Sequence, residues 1–260
     1  MAGTTLKIDF SGRGSSYKIA IANGSISRIG SWAKQRSGKS ARRIMVVSNT
    51  TVFPIYGEFV VEQLRSAGFA VDTWLLKDGE IHKNWRNVEK ALDAFAAFDL
   101  SRTDAVLALG GGVVGDLAGF AASIYMRGIS FLQVPTTLLS MIDSSVGGKT
   151  GVNSSAGKNR VGSFYQPSGV LIDSGVLKTL PAREITAGLC EAVKQGVLSG
   201  RELFNLTSDF LTKYPTAGIA GNFSKREFGN ATDSLIAAQV GFKASIVRGD
   251  ERESTGRMDS

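Results

Sequence analysis

The sequence predicts an α/β fold: a region built on a parallel sheet, followed by a region made of helices alone. Three observations carry this reading. Ile44-Met45-Val46-Val47 and Asp104–Leu109 are short apolar runs of the kind found in strands covered on both faces. Segments with helical spacing alternate with such runs up to residue 98. From Pro181 onward only helical patterns recur.

Leu6–Phe10 and Tyr17–Ala22 alternate apolar and polar residues across a Ser/Gly/Arg turn and read as a strand pair. Arg43–Ser48 is a strand, and Phe53–Ala67 places Phe59, Val60 and Leu64 at helical spacing. Ala70–Leu76 is the next strand. Asn84–Phe98 is an amphipathic helix with Trp85, Val88, Leu92, Phe95 and Ala96 on one side. Asp104–Leu109 then runs straight into Gly110, and this β-α-β-α-β order requires parallel strands with helices packed on them. A helix over Leu117–Met126, a strand over Ile129–Val134, a glycine-rich loop over Gly147–Gly162 and a strand over Val170–Asp173 follow. Ala182–Ser199, Glu202–Tyr214 and Asn230–Val247 are helices. A domain boundary near Lys178–Pro181 divides residues 1–178 from 179–260, and the polar stretch Gly249–Ser260 is expected to fray.

The chain has 260 residues, 43% hydrophobic and 20% charged, which excludes disorder by composition. Its net charge of +7 suits anionic small molecules as well as nucleic acid, and nothing else in the chain supports a nucleic-acid role. Cys190 is the only cysteine, which excludes an internal disulfide and fits a reducing, cytoplasmic location as a small buried residue. His82 is the only histidine, so no two-histidine metal site is built within this sequence. No signal peptide or membrane span is expected: the longest uncharged stretch, Gly128–Ile142, is short and carries Gln133, Pro135 and two threonines.

The 31 glycines cluster at Gly110–Gly119 and Gly147–Gly162. Gly110-Gly111-Gly112-Val113-Val114-Gly115 satisfies G-x-G-x-x-G between a strand and a helix, where backbone N–H groups suit a pyrophosphate. The acid expected about twenty residues on is missing, because Tyr125–Gln133 holds no carboxylate. Asp78-Gly79-Glu80, after the strand Ala70–Leu76, offers ribose-directed carboxylates instead. A tight packing turn with no ligand is the competing account of this loop.

In the second cluster, Gly147-Gly148-Lys149-Thr150 fails the P-loop pattern, because its first glycine would fall at Ile142. Lys149 and Lys158, nine residues apart on glycine-bordered turns beside Asn159, are expected to converge on a phosphate or carboxylate. Glu191 and Lys194 share a helix face, with Gly188 opening space on it. They read equally as a surface ion pair or as a metal ligand beside a substrate clamp.

These residues resemble the 3-dehydroquinate synthase family. The resemblance is carried by GGGVVGD at Gly110–Asp116, YMRG at Tyr125–Gly128 and VPTTLL at Val134–Leu139. Asp143, GGKTGVN at Gly147–Asn153, GKN at Gly157–Asn159, FYQP at Phe164–Pro167, LKTLP at Leu177–Pro181, the surroundings of Glu191 and Asp250–Glu253 complete it. It implies a nucleotide-binding α/β domain followed by a helical metal-binding domain, here incomplete. The activity it implies is cyclisation of 3-deoxy-D-arabino-heptulosonate 7-phosphate to 3-dehydroquinate with phosphate release, using NAD and a divalent metal, zinc or cobalt.

By the same resemblance Asp78, Gly79, Glu80, Lys83, Gly112, Val113, Val114, Gly115, Asp116, Thr136, Thr137, Val176, Leu177, Lys178 and Thr179 contact NAD. Lys149 and Lys158 serve cofactor and substrate; Asp143, Asn159, Lys194, Lys243 and Arg257 lie at the substrate, and Arg127 reaches its phosphate across a homodimer interface. Glu191 matches the carboxylate metal ligand, while the family's two histidine ligands have no counterpart. The resemblance therefore implies a C-terminally truncated member with little or no turnover alone. A related sugar-phosphate cyclase, an NAD-dependent metal-containing alcohol or glycerol dehydrogenase, and a non-catalytic NAD-binding dimer partner are the alternatives.

Overall fold

The structure, a computed structural model, describes residues 3–9, 16–215, 219, 222–223 and 225–250. Its strands are β1 (Thr4–Asp9), β2 (Ser16–Ile21), β3 (Arg43–Asn49), β4 (Ala70–Leu76), β5 (Ala105–Gly110), β6 (Ser130–Pro135), β7 (Lys149–Ser154), β8 (Gly157–Phe164) and β9 (Gly169–Ile172). The helices are α1 (Ile29–Arg36), α2 (Glu58–Ser66), α3 (Trp85–Ala97), α4 (Gly112–Ile124), α5 (Ala182–Ser199), α6 (Arg201–Lys213) and α7 (Arg226–Gly249). Seven strands form one sheet in the order β1-β2-β9-β6-β5-β3-β4, parallel except for the β1–β2 pair. β7 and β8 make a separate antiparallel hairpin.

The apolar strands are continuous because each face meets helices. Met45, Val47, Val106 and Ala108 pack with Val88 and Phe95 of α3 and Leu117 of α4. Ile44, Val46, Leu107 and Leu109, one residue out of phase, pack with Ile29 of α1 and Val60 and Leu64 of α2. A further cluster joins Ile19, Ile21, Val170 and Ile172 to Ile185 of α5, Phe210 of α6 and Ile236 of α7. The helices after residue 181 thus share a core with one end of the sheet. No helix among the described residues is long and apolar enough to cross a membrane.

Several sequence expectations shift. α1 was not anticipated, although Ile29, Trp32 and Ala33 bury one stripe of it. The helix expected over Phe53–Ala67 opens as a wide π-type turn over Phe53–Gly57, with Pro54 inside it, and becomes regular only at Glu58. α4 begins at Gly112, five residues before the expected Leu117, because Gly112 and Gly115 belong to the helix rather than to a loop. A Cβ on Gly119 would sit 2.5 Å from Thr150 Cγ2 and 2.8 Å from the Phe131 ring, so glycine lets α4 lie close to both β6 and β7. α7 starts at Arg226, four residues early.

The largest correction concerns Gly147–Gly162, expected as a ligand loop. It is the β7–β8 hairpin, with Lys149 opposite Phe164 and Ser154 opposite Gly157. Gly151 and Gly162 face each other there, and a Cβ on Gly151 would lie 2.6 Å from the Val161 carbonyl oxygen. These two glycines serve close strand approach.

Asp104 ties the starts of β3 and β5 together. Its buried carboxylate accepts N–H bonds from Arg42 (2.9 Å), Arg43 (2.8 Å) and Ser101 (2.8 Å), and the Ser101 hydroxyl at 2.7 Å. Burial alone would raise its pKa, but the bonds to the charged form outweigh burial and hold it below the usual carboxylate range. Asp104→Ala should destabilise by about 3 kcal/mol at pH 7 in urea titrations, since it orphans several buried donors. The wild-type contribution is present above about pH 4 and lost as pH falls through the depressed pKa, so the two proteins should converge in acid.

Candidate functional site

Parallel strands deliver their carboxyl ends, and the loops that follow, to one edge of the sheet. From β3 the chain moves outward to β4, then crosses back to β5 on the other side. The strand order therefore reverses between β3 and β5, and a crevice opens at their carboxyl ends. Asn49 closes β3, Gly110 closes β5 and Pro135 closes β6 beside Thr136.

α4 starts directly from this edge. Gly111 caps it in an extended conformation, and no side chain satisfies its first N–H groups. That end of the helix is a site for a negatively charged group. Thr136 is buried at the adjoining strand end, and its Oγ1 has no partner, which leaves a polar atom for a bound molecule. Thr137 is committed to Ser140 at 2.8 Å. A Cβ on Gly111 would come within 3.1 Å of Thr137 Cγ2, and one on Gly112 within 3.1 Å of Ser144 Oγ. This crevice, with its free helix end and orphaned hydroxyl, fits the pyrophosphate of a dinucleotide.

The turn after β4 sits next to it. Asp78 accepts hydrogen bonds from Asn49 (2.9 Å) and Thr51 (3.3 Å), Gly79 has φ 109°, and Glu80 accepts from Asn153 Nδ2 at 2.8 Å. Lys83 is only 4% exposed and bridges the Asp116 carboxylate to Asn159 Oδ1, the latter at 2.6 Å. Burial pushes the Asp116 carboxyl up to about 6; Lys83 opposes that shift, and the charges of Glu80 and Asp143 add to it.

A cleft of about 710 Å³ continues from Asp116 and Ser144. Asp143 lines it from the turn before the hairpin, Lys149, Thr150, Asn159 and Arg160 from the hairpin, Lys194 from α5 and Lys243 from α7. Four cations (Lys149, Arg160, Lys194, Lys243) face two acids (Asp116, Asp143), so the cleft favours an anion. Lys243 pairs with Asp143 at 3.0 Å and Lys194 with Glu191 at 2.9 Å.

The sequence-derived residues divide accordingly. Asp143, Lys149, Asn159, Lys194 and Lys243 meet at the cleft, with Asp116 at its junction with the crevice. Lys158 is exposed and does not line it. Lys149 and Lys158 lie toward opposite ends of the hairpin, roughly 13 Å apart along the strands, because the intervening residues fold as a ladder and not as a turn. Val113, Val114 and Gly115 lie in the first turn of α4, where the Val114 side chain is core and the Gly115 N–H donates to the Gly111 carbonyl. Val176 and Leu177 are likewise buried, and Tyr56 holds the Val176 carbonyl at 2.9 Å and Thr179 at 2.7 Å, leaving Lys178 exposed. Arg127 is exposed in a left-handed turn with Met126, at φ 68° and 48°, outside the cleft lining. Arg257 lies outside the described residues.

Two further expectations fail. A Cβ on Gly188 would lie 2.6 Å from Leu138 Cβ, so this glycine admits Leu138 and opens no space. Cys190 is exposed, because it falls outside the buried stripe of α5 formed by Ile185, Gly188, Leu189 and Ala192. Arg160, Thr150 and Ser144 were missed; adjacency of Arg160 to Asn159 was the one available signal. Among the described residues, no three His, Cys, Asp or Glu side chains come together as a metal set.

Fold and site define a class: α/β proteins with an anion-ready helix end at the sheet's switch point and a cationic cleft beside it. A crystal structure of 2-deoxy-scyllo-inosose synthase complexed with carbaglucose-6-phosphate, NAD+ and Co2+ matches with a TM-score of 0.84 at 26% identity, over 96% of this chain and 64% of that one. The 2-epi-5-epi-valiolone synthase of Streptomyces hygroscopicus, with NAD+ and Zn2+ bound, matches at 0.78 and 30% identity, over 92% of this chain and 63% of that one. Residues 73–187 match the family described as 3-dehydroquinate synthase N-terminal. The 3-dehydroquinate synthase of Picosynechococcus sp. is 46% identical over 239 residues, 92% of this chain and 63% of that protein. The chain belongs to the 3-dehydroquinate synthase family, and it spans about 63% of the length of such relatives.

The Asp116 carboxyl should titrate near pH 6 when followed by carboxyl 13C NMR. Lys83→Met should move that midpoint higher, because it removes the charge that opposes burial. A midpoint at or below 4 in the wild type would contradict the buried, acid-flanked environment.

Proposed function

We propose that the chain carries the dinucleotide-binding region (residues 1–178) and a helical substrate region (residues 179–260) of a 3-dehydroquinate synthase. The reaction is cyclisation of 3-deoxy-D-arabino-heptulosonate 7-phosphate to 3-dehydroquinate with loss of phosphate. The observation that carries this reading is the continuity of two anion sites. The uncapped α4 end, beside the orphaned Thr136 hydroxyl, runs through Asp116 and Ser144 into a cleft with four cations and two acids. A dinucleotide and a phosphorylated sugar acid are both anions, and the two sites seat them side by side. The cleft volume of about 710 Å³ lies in the range of small-molecule sites.

Bound in the crevice, NAD would supply a hydride acceptor for the carbon of a substrate alcohol. The N–H groups of Gly112, Val113 and Val114 hold its pyrophosphate, and the Asp78–Glu80 turn faces its ribose. Lys149, Lys194 and Lys243 neutralise the phosphate and carboxylate of the substrate, and Asn159 orients it as a neutral donor and acceptor. Asp143 fixes the Lys243 ammonium through their 3.0 Å pair. Across a homodimer interface, Arg127 completes the phosphate site in this reading, while Lys158, outside the cleft lining, is left out of it. Glu191 is the one residue here that matches a metal ligand. With no group of three His, Cys, Asp or Glu side chains together among the described residues, these side chains do not by themselves fit a divalent ion, and no step is routed through one. A cytoplasmic setting accords with a single, unpaired cysteine.

Calorimetric titration should show NAD binding to the purified chain. Gly112→Asp, which puts a carboxylate at the helix end and against Ser144, should weaken it at least about tenfold without altering far-ultraviolet dichroism. The NAD-loaded chain should then bind the heptulosonate phosphate, with chemical-shift changes at Lys149 and Lys243. Failure to bind NAD, or accumulation of NADH from glycerol, would overturn the assignment in favour of a non-enzymic fragment or an alcohol dehydrogenase respectively.

A further inference from the structure

The net charge of +7 has an uneven origin along the chain. Residues 10–57 hold eight of the 30 lysines and arginines and none of the 23 aspartates and glutamates, so the rest of the chain is close to neutral. The cationic cleft draws on none of these eight, because Lys149, Arg160, Lys194 and Lys243 all come later in the sequence. The basic excess belongs to a different surface.

β2 ends at the carboxyl edge of the sheet and β3 begins at the amino edge, so α1 and the loop after it lead from one to the other. The last turn of α1 and that loop bring Lys34, Arg36, Lys39, Arg42 and Arg43 to the edge opposite the crevice. Arg36 reaches sideways over β9, where a Cβ on Gly169 would lie 3.0 Å from its Cγ. Lys18 of β2 pairs with that same Gly169, and paired residues point to one face, so Lys18 extends the row past Arg36. At the other end the Arg42 carbonyl accepts the Ala70 N–H at 2.9 Å, which fixes the loop beside β4. Lys18, Lys34, Lys39 and Arg42 are exposed. From β2 to β3 the row crosses four strand spacings, about 19 Å.

Ordinary structural roles explain part of this row. Cations in the last turn of α1 favour its dipole, which accounts for Lys34 and Arg36. Arg43 pairs with Asp99 at 3.3 Å, and the buried Asp104 is engaged by backbone N–H groups. Past β3, Arg65 reaches the Val71 carbonyl at 3.0 Å beside the exposed Asp72, and the excess fades. Lys18, Lys39, Arg42 and the lack of any acid across residues 10–57 are left to explain.

The chemistry of the row narrows its partner. Among the described residues from 16 to 49 no large hydrophobic side chain is exposed, and Trp32 is buried. The surface therefore offers no ring for stacking on bases and no apolar anchor for a lipid bilayer. A row of separate cations suits carboxylates spaced along a chain. An extended polypeptide advances about 3.4 Å per residue, so roughly six residues match the row.

We propose that the amino edge of the sheet, from Lys18 to Arg42, is a docking surface for an extended Asp/Glu-rich segment of a partner protein. It lies at the far edge from the crevice, and the proposal does not rest on the ligands assigned there.

The test uses an acetylated, amidated octaglutamate peptide, with binding followed by 15N NMR of the full chain at low salt. Saturable shifts should map to residue 18 and residues 34–43, and the affinity should fall as salt screens the pairing. Lys34→Glu, Lys39→Glu and Arg42→Glu combined should weaken binding at least about tenfold. Lys90→Glu, Arg183→Glu and Arg201→Glu combined make the same change in net charge at exposed positions elsewhere, and should weaken it less than about threefold. Alanine at residues 34, 39 and 42 provides a milder set if charge reversal impairs folding, with a loss in the same direction. Absence of saturable binding at low salt would overturn the proposal, as would shifts confined to the cleft. Equal losses in the two triple variants would also overturn it, because binding would then report net charge alone. Tighter binding of an octauridylate than of the peptide at the same salt would overturn it in favour of a nucleic-acid surface.

Discussion

Helix α4 lies between the parallel sheet and the β7–β8 hairpin, closer to both than side chains of ordinary size allow, and the rest of the site depends on that approach. Gly119 meets Thr150 and Phe131 at distances a Cβ could not share, and Gly115 faces the Gln133 side chain of β6. Because α4 packs so tightly, its amino end has a fixed place at the carboxyl edge of β5. There its unsatisfied N–H groups and dipole project into the crevice at the sheet's switch point. The same glycines bring the hairpin in from the other side. Two anion-binding surfaces thus share one helix.

Charge in this region is organised in pairs that join different elements. Lys83 and Asp116 connect the turn after β4 to α4, while Asp143 and Lys243 connect the turn before β7 to α7. Lys194 and Glu191 pair within α5. Buried or half-buried pairs of this kind contribute little net stability, because desolvation opposes the attraction. Their effect is on register: each pair sets where one element sits against the next. Asp116 shows the tension most clearly, since burial raises its carboxyl to about 6 even with an ammonium in contact. Arg160 has a different place, on the cleft wall at the exposed end of the hairpin, beside Asn159.

Much of the architecture was legible from residue patterns. Continuous apolar runs at Ile44–Val47 and Ala105–Leu109 could belong only to strands covered on both faces, and helices pack there on either side. α5 begins and ends where its periodicity does, because its buried stripe runs from Ile185 to Gly196 without interruption. Glycine was the main source of error. A glycine can mark a turn, a close helix contact or a close strand contact, and the residue itself carries no sign of which. Gly112 and Gly115 proved helical, Gly151 and Gly162 proved to lie in strands, and Gly188 proved to admit a neighbouring leucine.

What the sequence determined by itself is local and periodic: which segments are strands or helices, that the β-α-β order makes the sheet parallel, and that a glycine-rich turn opens a helix at a strand end. Motif order also sufficed to place the chain in its family. Only the tertiary structure decided which side chains meet. Lys149 and Lys158, near in sequence, are held apart by a ladder, whereas Lys83, Asp116 and Asn159, spread over some 76 positions, come within hydrogen-bonding distance. The reason is physical. Periodicity reports the environment of one segment, but the distance between two charges depends on how closely whole elements pack, and here that was settled by the missing side chains of a few glycines.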